Sequence, residues 1–312
     1  MRRFLLKAFL MAFTIIVAAI VFEYSLRQIP TQYTVKYAYM EEQKQKIEIL
    51  VLGHSESAQG INPVYMGENC YNFAINGKNI FYDFYYLKKY IPEMKQLRYV
   101  IYPYAYNILG STRYPVPNIT LDPNMGEGEN QALQFELYMN AGLYTFPVNH
   151  IECLQDVTAV QKWKKYYLRR QNTVICDSLG FQPLEKKDRA VNWRTSFKPH
   201  EYDFNHPNYE LAYQEKMDCL MGMAYLCQEY GARFVLVGMP VTHWFYSLCR
   251  PEKIEKYYDD KDKILAKYPN TLFLDYQQDP RFEEEDFYNP NHLCHEGADK
   301  FSKILSTELG IR

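Results

Sequence analysis

The sequence has no Cys-x-x-Cys pair. Its seven cysteines, at positions 70, 153, 176, 219, 227, 249 and 294, stand far apart. That scatter excludes a thiolate metal site built on close pairs. Disulfides are compatible with an extracytoplasmic location, but an odd count leaves at least one thiol over and pairing cannot be deduced from sequence. Buried, scattered thiols are the simpler expectation. An excess of one charge is also lacking: 35 Lys and Arg face 37 Asp and Glu, for a net charge of -2. No basic stripe appears, so the footprint of a nucleic-acid binder is missing. There is no internal repeat and no low-complexity tract. The 312 residues suit one large domain or two small ones.

One further absence is local. No lysine or arginine lies between Lys7 and Arg27. Arg2, Arg3 and Lys7 flank that gap; within it runs an apolar stretch from about Ala8 to Phe22, which Phe4, Leu5 and Leu6 extend on the other side of Lys7. The stretch has roughly the 17–20 residues that a bilayer core requires. The basic flank predicts a cytoplasmic N-terminus, with the rest of the chain outside. A cleaved signal peptide is the competing reading, and Ala18-Ala19-Ile20 resembles its cleavage site. A core helix of a soluble protein is the third. The expectation is an uncleaved anchor over residues 1–22, then a polar, partly helical stalk over 23–45.

The remainder, 46–312, changes pattern. "IEILVL" (47–52), "CYNFAI" (70–75), "RYVIYPY" (98–104), "RFVLVGMP" (233–240) and "TLFLDY" (271–276) are short apolar runs, the mark of buried strands. Between and after them, residues 79–94, 217–232, 252–268 and 296–309 carry helical spacing. Strands alternating with helices predict an α/β three-layer sandwich, its five-stranded parallel sheet covered on both faces. Residues from about 108 to 215 break the rhythm. They are rich in Asn, Pro, Tyr and Trp, with one helical piece at 156–171, and read as a large insertion over the sheet's carboxyl edge.

The polar clusters collect at that edge, where open α/β sheets bind ligands. Ser55 follows strand one, in "VLGHSES" (51–57). Asn76 and Gly77 follow strand two. Tyr104 to Asn107 follow strand three, and Thr242 and His243 strand four. His292 stands in the loop after strand five. A nucleophilic serine needs a base in reach and donors for the oxyanion. Ser55 is the candidate nucleophile, His292 the base and Gly77 an oxyanion donor. Asn107, Tyr104 and His243 are further candidates for oxyanion or substrate contact. Each has a plainer reading: Ser55 as a helix N-cap, His292 as a loop histidine satisfied by a carbonyl. His54 reads as a turn residue and Glu56 as a first-turn acid favoured by the helix dipole. "GHSES" begins like the G-x-S-x-G elbow, but Ser57 replaces the second glycine. His292 and His295 are too few to hold a metal. The 30 tyrosines read mainly as packing; a tyrosine-rich cleft would also suit sugar rings.

Three blocks carry a family resemblance. "VLGHSESAQGINP" (51–63), "NFAINGKNI" (72–80) and "FYNPNHLCHEGADKFSKIL" (287–305) resemble, in order, the blocks of the SGNH (GDSL-like) hydrolases. The likeness is nearest to membrane-anchored relatives of bacterial envelope and polysaccharide-modifying systems. It covers residues 47–107 and 233–309. It implies a flavodoxin-like sheet, with Ser55 as nucleophile, His292 as base and Gly77 as oxyanion donor. No cofactor or metal is implied. The expected activity is that of a serine esterase or O-acyltransferase acting on acyl esters of envelope or exported polysaccharide, outside the cytoplasm. Its expected partners are the membrane, that substrate and envelope polysaccharide-assembly proteins. The chain departs from the pattern at 289, where the family acid would stand and Asn289 does; Asp286 and Asp275 are the nearest substitutes. A catalytically degenerate SGNH-like module that binds glycan or a partner is the alternative.

Overall fold

The computed structural model describes residues 1–77, 80–105, 109, 159–196, 199 and 209–311. Five strands form one parallel sheet: β1 (Ile49–Val51), β2 (Cys70–Asn72), β3 (Tyr99–Pro103), β4 (Arg233–Gly238) and β5 (Leu272–Asp275). Their order is β2-β1-β3-β4-β5. This is the doubly wound arrangement expected from the alternating pattern. β1 pairs with β2 on one side and β3 on the other, both in parallel. The strand order therefore reverses beside β1, and its carboxyl end is the topological switch point where such sheets bind ligands. Ser55 follows that end.

Short strands suffice because both faces are buried. Ile49, Val51, Ile101, Val235 and Val237 share one core cluster with Ala298, Phe301 and Leu305. The alternate residues, Leu50, Val100, Phe234 and Leu236, are equally buried on the opposite face. A side chain of this size contributes roughly 1.5–3 kcal/mol when fully buried. The period of two explains why these strands read as continuous apolar runs rather than alternating ones.

The helices are α1 (Arg2–Arg27), α2 (Gln32–Gln43), α3 (Ser55–Gly60), α4 (Ile80–Tyr90), α5 (Ala159–Trp163), α6 (Tyr209–Glu229), α7 (His243–Ser247), α8 (Pro251–Lys267) and α9 (His295–Glu308). α3 packs on α9, and α4 packs on α6. Before α9 comes a small antiparallel pair, β6 (Phe287–Asn289) and β7 (His292–Leu293), which the sequence pattern did not reveal.

The chain divides into two compact units, Met1–Ala38 with Leu133–Ile175, and Tyr39–Ala132 with Cys176–Arg312. The first contains α1, a helix long and apolar enough to cross a bilayer, with none of its apolar window buried. A signal sequence would pass the same test. Most of the expected insertion, residues 108–158 apart from Leu109, and 197–208 apart from 199, lies outside the described residues. Cys70, Cys227 and Cys294 are buried thiols.

Candidate active site

The turn from β1 into α3 is built around Gly53. Its φ of +109° lies in the region that side chains avoid, and a Cβ there would collide with the Pro103 ring of β3. Only glycine lets the strand end come this close to its neighbour. The Gly53 N–H donates to Asp83 Oδ1 at 3.1 Å, from the first turn of α4. Asp83 is fully buried. A second pin comes from Asn72, at the end of β2. Its Nδ2 donates to the carbonyls of Ser57 and Ile61, at 2.9 and 2.8 Å, and its Oδ1 accepts from Ala74 N–H at 3.1 Å. α3 is thus fixed at both ends of its single short run, and Ser55 is its first residue.

His292 approaches from the β6–β7 pair. Its Nε2 lies 2.8 Å from Ser55 Oγ and its Nδ1 3.0 Å from Asn289 Oδ1. Three side chains from two sequence-distant segments therefore form one hydrogen-bonded line. The orientation of Asn289 decides its chemistry. The same Oδ1 accepts from the backbone N–H of Asn291 at 3.1 Å and of His292 at 3.0 Å. This is an Asx turn, and two fixed donors require the amide oxygen, not the NH2, to face them. The oxygen is then what Nδ1 meets. Nδ1 must carry the ring proton, and Nε2 presents its lone pair to the serine hydroxyl. An asparagine that turned its NH2 to the ring would impose the opposite tautomer.

The Asn289–His292 turn is held on two further sides. Asn291 Nδ2 donates to Glu56 Oε1 at 3.3 Å. Pro290 O accepts from Thr242 N–H at 2.9 Å and from Thr242 Oγ1 at 3.2 Å. Glu56, Asn291 and Thr242 are all buried. Glu56 adjoins Ser55 in sequence, and Asn291 adjoins His292. One buried hydrogen bond therefore links the segment that carries the serine to the one that carries the histidine. Burial pushes the Glu56 carboxyl above its ordinary range, against the opposing influence of His54 and Asn291. Desolvation, and then the neighbouring His54, hold His292 far below the usual histidine range, at about 3. The imidazole is a neutral acceptor through the physiological range.

Gly77 follows β2, the strand beside β1, so Ser55 and Gly77 lie past the carboxyl ends of adjacent strands. Gly77 has φ +70° and open space where a Cβ would stand. Among the described residues, the N–H groups of Ser55 and Gly77 have no hydrogen-bond acceptor.

The other candidates fall elsewhere. Tyr104 is 1 % exposed, its ring stacks on Tyr257 and its hydroxyl donates to the Tyr257 carbonyl at 3.1 Å. It is packed in the core. Asp286 accepts from Lys300 Nζ at 2.7 Å and from Glu283 N–H at 2.9 Å, so its carboxylate serves the entry to β6 and not His292. Asp275 accepts from Tyr258 OH at 2.7 Å and Gln277 N–H at 3.1 Å. His243 is exposed, with Nδ1 3.1 Å from Gln278 Oε1. His295 turns away from His292 to Glu185 Oε1 at 3.1 Å. Asn107 lies outside the described residues. Sequence reasoning missed Asn72, Asp83 and Asn291. It read Glu56 as a first-turn acid, which it is, without foreseeing that it is buried. For Asn72 and Asp83 the hint was a polar residue between two aromatic neighbours.

No protein-family model matches the chain. No curated protein matches it either. Among solved structures, a Streptococcus pneumonia protein provisionally described as a platelet activating factor is similar over 90 % of this chain and 92 % of its own, at 11 % identity and a TM-score of 0.46.

Proposed function

We propose that the protein is a serine esterase or O-acyltransferase of the SGNH type, anchored by α1 and acting outside the cytoplasm. The observation that carries this reading is the line Ser55 Oγ, His292 Nε2, His292 Nδ1, Asn289 Oδ1, with contacts of 2.8 and 3.0 Å. Ser55 Oγ attacks the acyl carbonyl while Nε2 takes its proton. The N–H groups of Ser55 and Gly77 donate to the oxyanion. When the tetrahedral species collapses, the imidazolium returns that proton to the leaving alkoxide, and the acyl group stays on Ser55. Water then takes the acyl group in hydrolysis, or a sugar hydroxyl takes it in transfer. The same imidazole serves as base and then acid. The substrate class is an acyl ester, most simply acetyl, on an envelope or exported polysaccharide. Its partners are the membrane, that polymer and the proteins that assemble it. The family resemblance of the three sequence blocks supports this choice.

Asn289 favours a second reading, a degenerate module that binds glycan or a partner without turnover. The close Ser55–His292 contact weighs against it, since a pure binding site has no need of an oriented base. A serine-directed fluorophosphonate probe separates the two. Wild type should label covalently, and Ser55→Ala should not while keeping the same thermal unfolding midpoint. A wild-type protein that fails to label at high probe concentration would leave the binding reading in place.

A further inference from the structure

The first unit carries a feature unrelated to the serine site. At the carboxyl end of α1, Leu26 and Ile29 form a small core with Phe22, Trp163, Tyr166 and Tyr167. Trp163 Nε1 donates to Ser25 Oγ at 2.8 Å and Tyr167 OH to the Ser25 carbonyl at 2.9 Å. Thr173 Oγ1 donates to the Pro30 carbonyl at 2.7 Å. α5 and the wide π turn that continues it, Lys164–Leu168, are therefore tied to the end of the apolar helix.

The charge of this bracket is of one sign, and apolar residues are exposed beside it. From residue 157 to 175 it has five cations, Lys162, Lys164, Lys165, Arg169 and Arg170, and no Asp or Glu. Large apolar side chains are exposed among them: Val160, Leu168 and Ile175. The depth of the bracket follows from α1. Its apolar stretch from Phe4 to Val21 spans about 27 Å at the helical rise, close to a bilayer's hydrocarbon thickness. Phe22 to Ile29 then stand at headgroup level. Trp and Tyr concentrate at that level in membrane proteins, and basic residues there meet lipid phosphates.

We infer that residues 159–170 form a binding surface for anionic phospholipid headgroups, continuous with the membrane-spanning α1. The aromatic side grips α1, the exposed apolar residues enter the interface, and the exposed Lys164, Lys165, Arg169 and Arg170 face the phosphates. This inference rests on α1 spanning the bilayer and is independent of the esterase reading.

The test uses the full chain in neutral detergent. Thermal unfolding is followed with added phosphatidylglycerol or phosphatidylcholine, for wild type and for a variant with Lys162, Lys164, Lys165, Arg169 and Arg170 all changed to Gln. Phosphatidylglycerol should raise the wild-type midpoint by several degrees and phosphatidylcholine should not. The variant should need at least tenfold more phosphatidylglycerol for the same rise, and high salt should erase the wild-type effect. An equal response to both lipids, or a variant that responds like wild type, overturns the inference. So does stabilisation by soluble heparin with none by phosphatidylglycerol, which would assign the surface to a polyanionic polymer. If the variant is unstable without lipid, brominated lipids decide in wild type. Brominated phosphatidylglycerol should quench Trp163 more than brominated phosphatidylcholine, with Trp163→Phe as reference; equal quenching overturns it. Carbonate washing checks the anchor separately: wild type and variant should both stay with membranes. Release of wild type would refute the spanning helix, and the inference with it.

Discussion

Replacing Asn289 by Asp is the perturbation that discriminates best. The side chain is nearly isosteric, and its Oδ1 would keep the two backbone donors of Asn291 and His292. The amide nitrogen it replaces makes no hydrogen bond among the described residues, so no donor is lost. What changes is charge. A carboxylate would stand 3.0 Å from His292 Nδ1. An opposite charge at this range raises a pKa by roughly 1–3 units. That stabilises the imidazolium by about 1.4–4 kcal/mol. The transition state for serine attack carries much of that imidazolium character. Tenfold in rate requires about 1.4 kcal/mol. The expected gain in kcat is therefore about tenfold to a hundredfold, with KM little changed. It is smaller than the roughly ten-thousandfold effect of an asparagine that holds the wrong tautomer. Here the Asx turn already holds the right one.

The assay is hydrolysis of 4-nitrophenyl acetate, with a pH series. In wild type His292 is held at about 3, so acidification through the ordinary histidine range should not protonate the base. In Asn289→Asp the acid limb should move upward by the same 1–3 units. If the variant folds with an unchanged midpoint, gains less than threefold and shows no shift of the acid limb, the coupling between position 289 and His292 is refuted. If wild type and variant are both inactive, the binding-module reading replaces the esterase.

Three other outcomes follow from the same geometry. Gly53→Ala places a Cβ against Pro103 at a positive φ, and should cost about 2–4 kcal/mol in urea unfolding; a loss under 0.5 kcal/mol would contradict the tight approach. Glu56→Ala leaves the Asn291 amide without its acceptor, and should lower kcat about tenfold with KM within twofold, while Glu56→Gln, which keeps an acceptor oxygen, should stay near wild type; equal losses would deny the hydrogen bond its positioning role. His292 has a folded-state pKa depressed from the ordinary 6.5 to about 3, so its share of stability is complete above pH 6.5 and is lost as pH falls toward 3. Allowing for its partial exposure, wild type should lose about 1–2 kcal/mol more than His292→Gln between pH 7.5 and pH 5 in urea unfolding; parallel losses would show that His292 is not desolvated.

The sheet was legible because parallel strands buried on both faces leave continuous apolar runs such as Ile49–Val51 and Phe234–Val237. The helices were legible from their period, although α6 begins at Tyr209, ahead of the expected 217. Tyr104 shows the limit of reasoning by strand end. A side chain there points to one face or the other, and a shift of one residue reverses the choice. Tyr104 takes the face of Tyr257 and Phe273. Asn72 and Asp83 were illegible for a related reason. A buried polar residue is informative only when its partner is known, and their partners lie 11–15 and 30 residues away.

Asn289 is the instructive case, because its identity and its geometry point in different directions. In sequence it reads as a missing acid. In space the turn Asn289-Pro290-Asn291-His292 gives it an acceptor's task that either Asn or Asp can perform. The acid of a serine triad does two things: it holds the tautomer and it stabilises the charged ring. The backbone of the turn supplies the first through the amide oxygen. Asn289 carries no charge to supply the second, and His54 opposes it. A site that keeps orientation but not charge should therefore turn over slowly, and should keep its base unprotonated in acid where an ordinary triad would lose it. Slow turnover that persists below pH 5 would be the signature of this division. Turnover that falls away near pH 6.5 would mean that His292 titrates as an ordinary histidine and that desolvation does not hold it neutral.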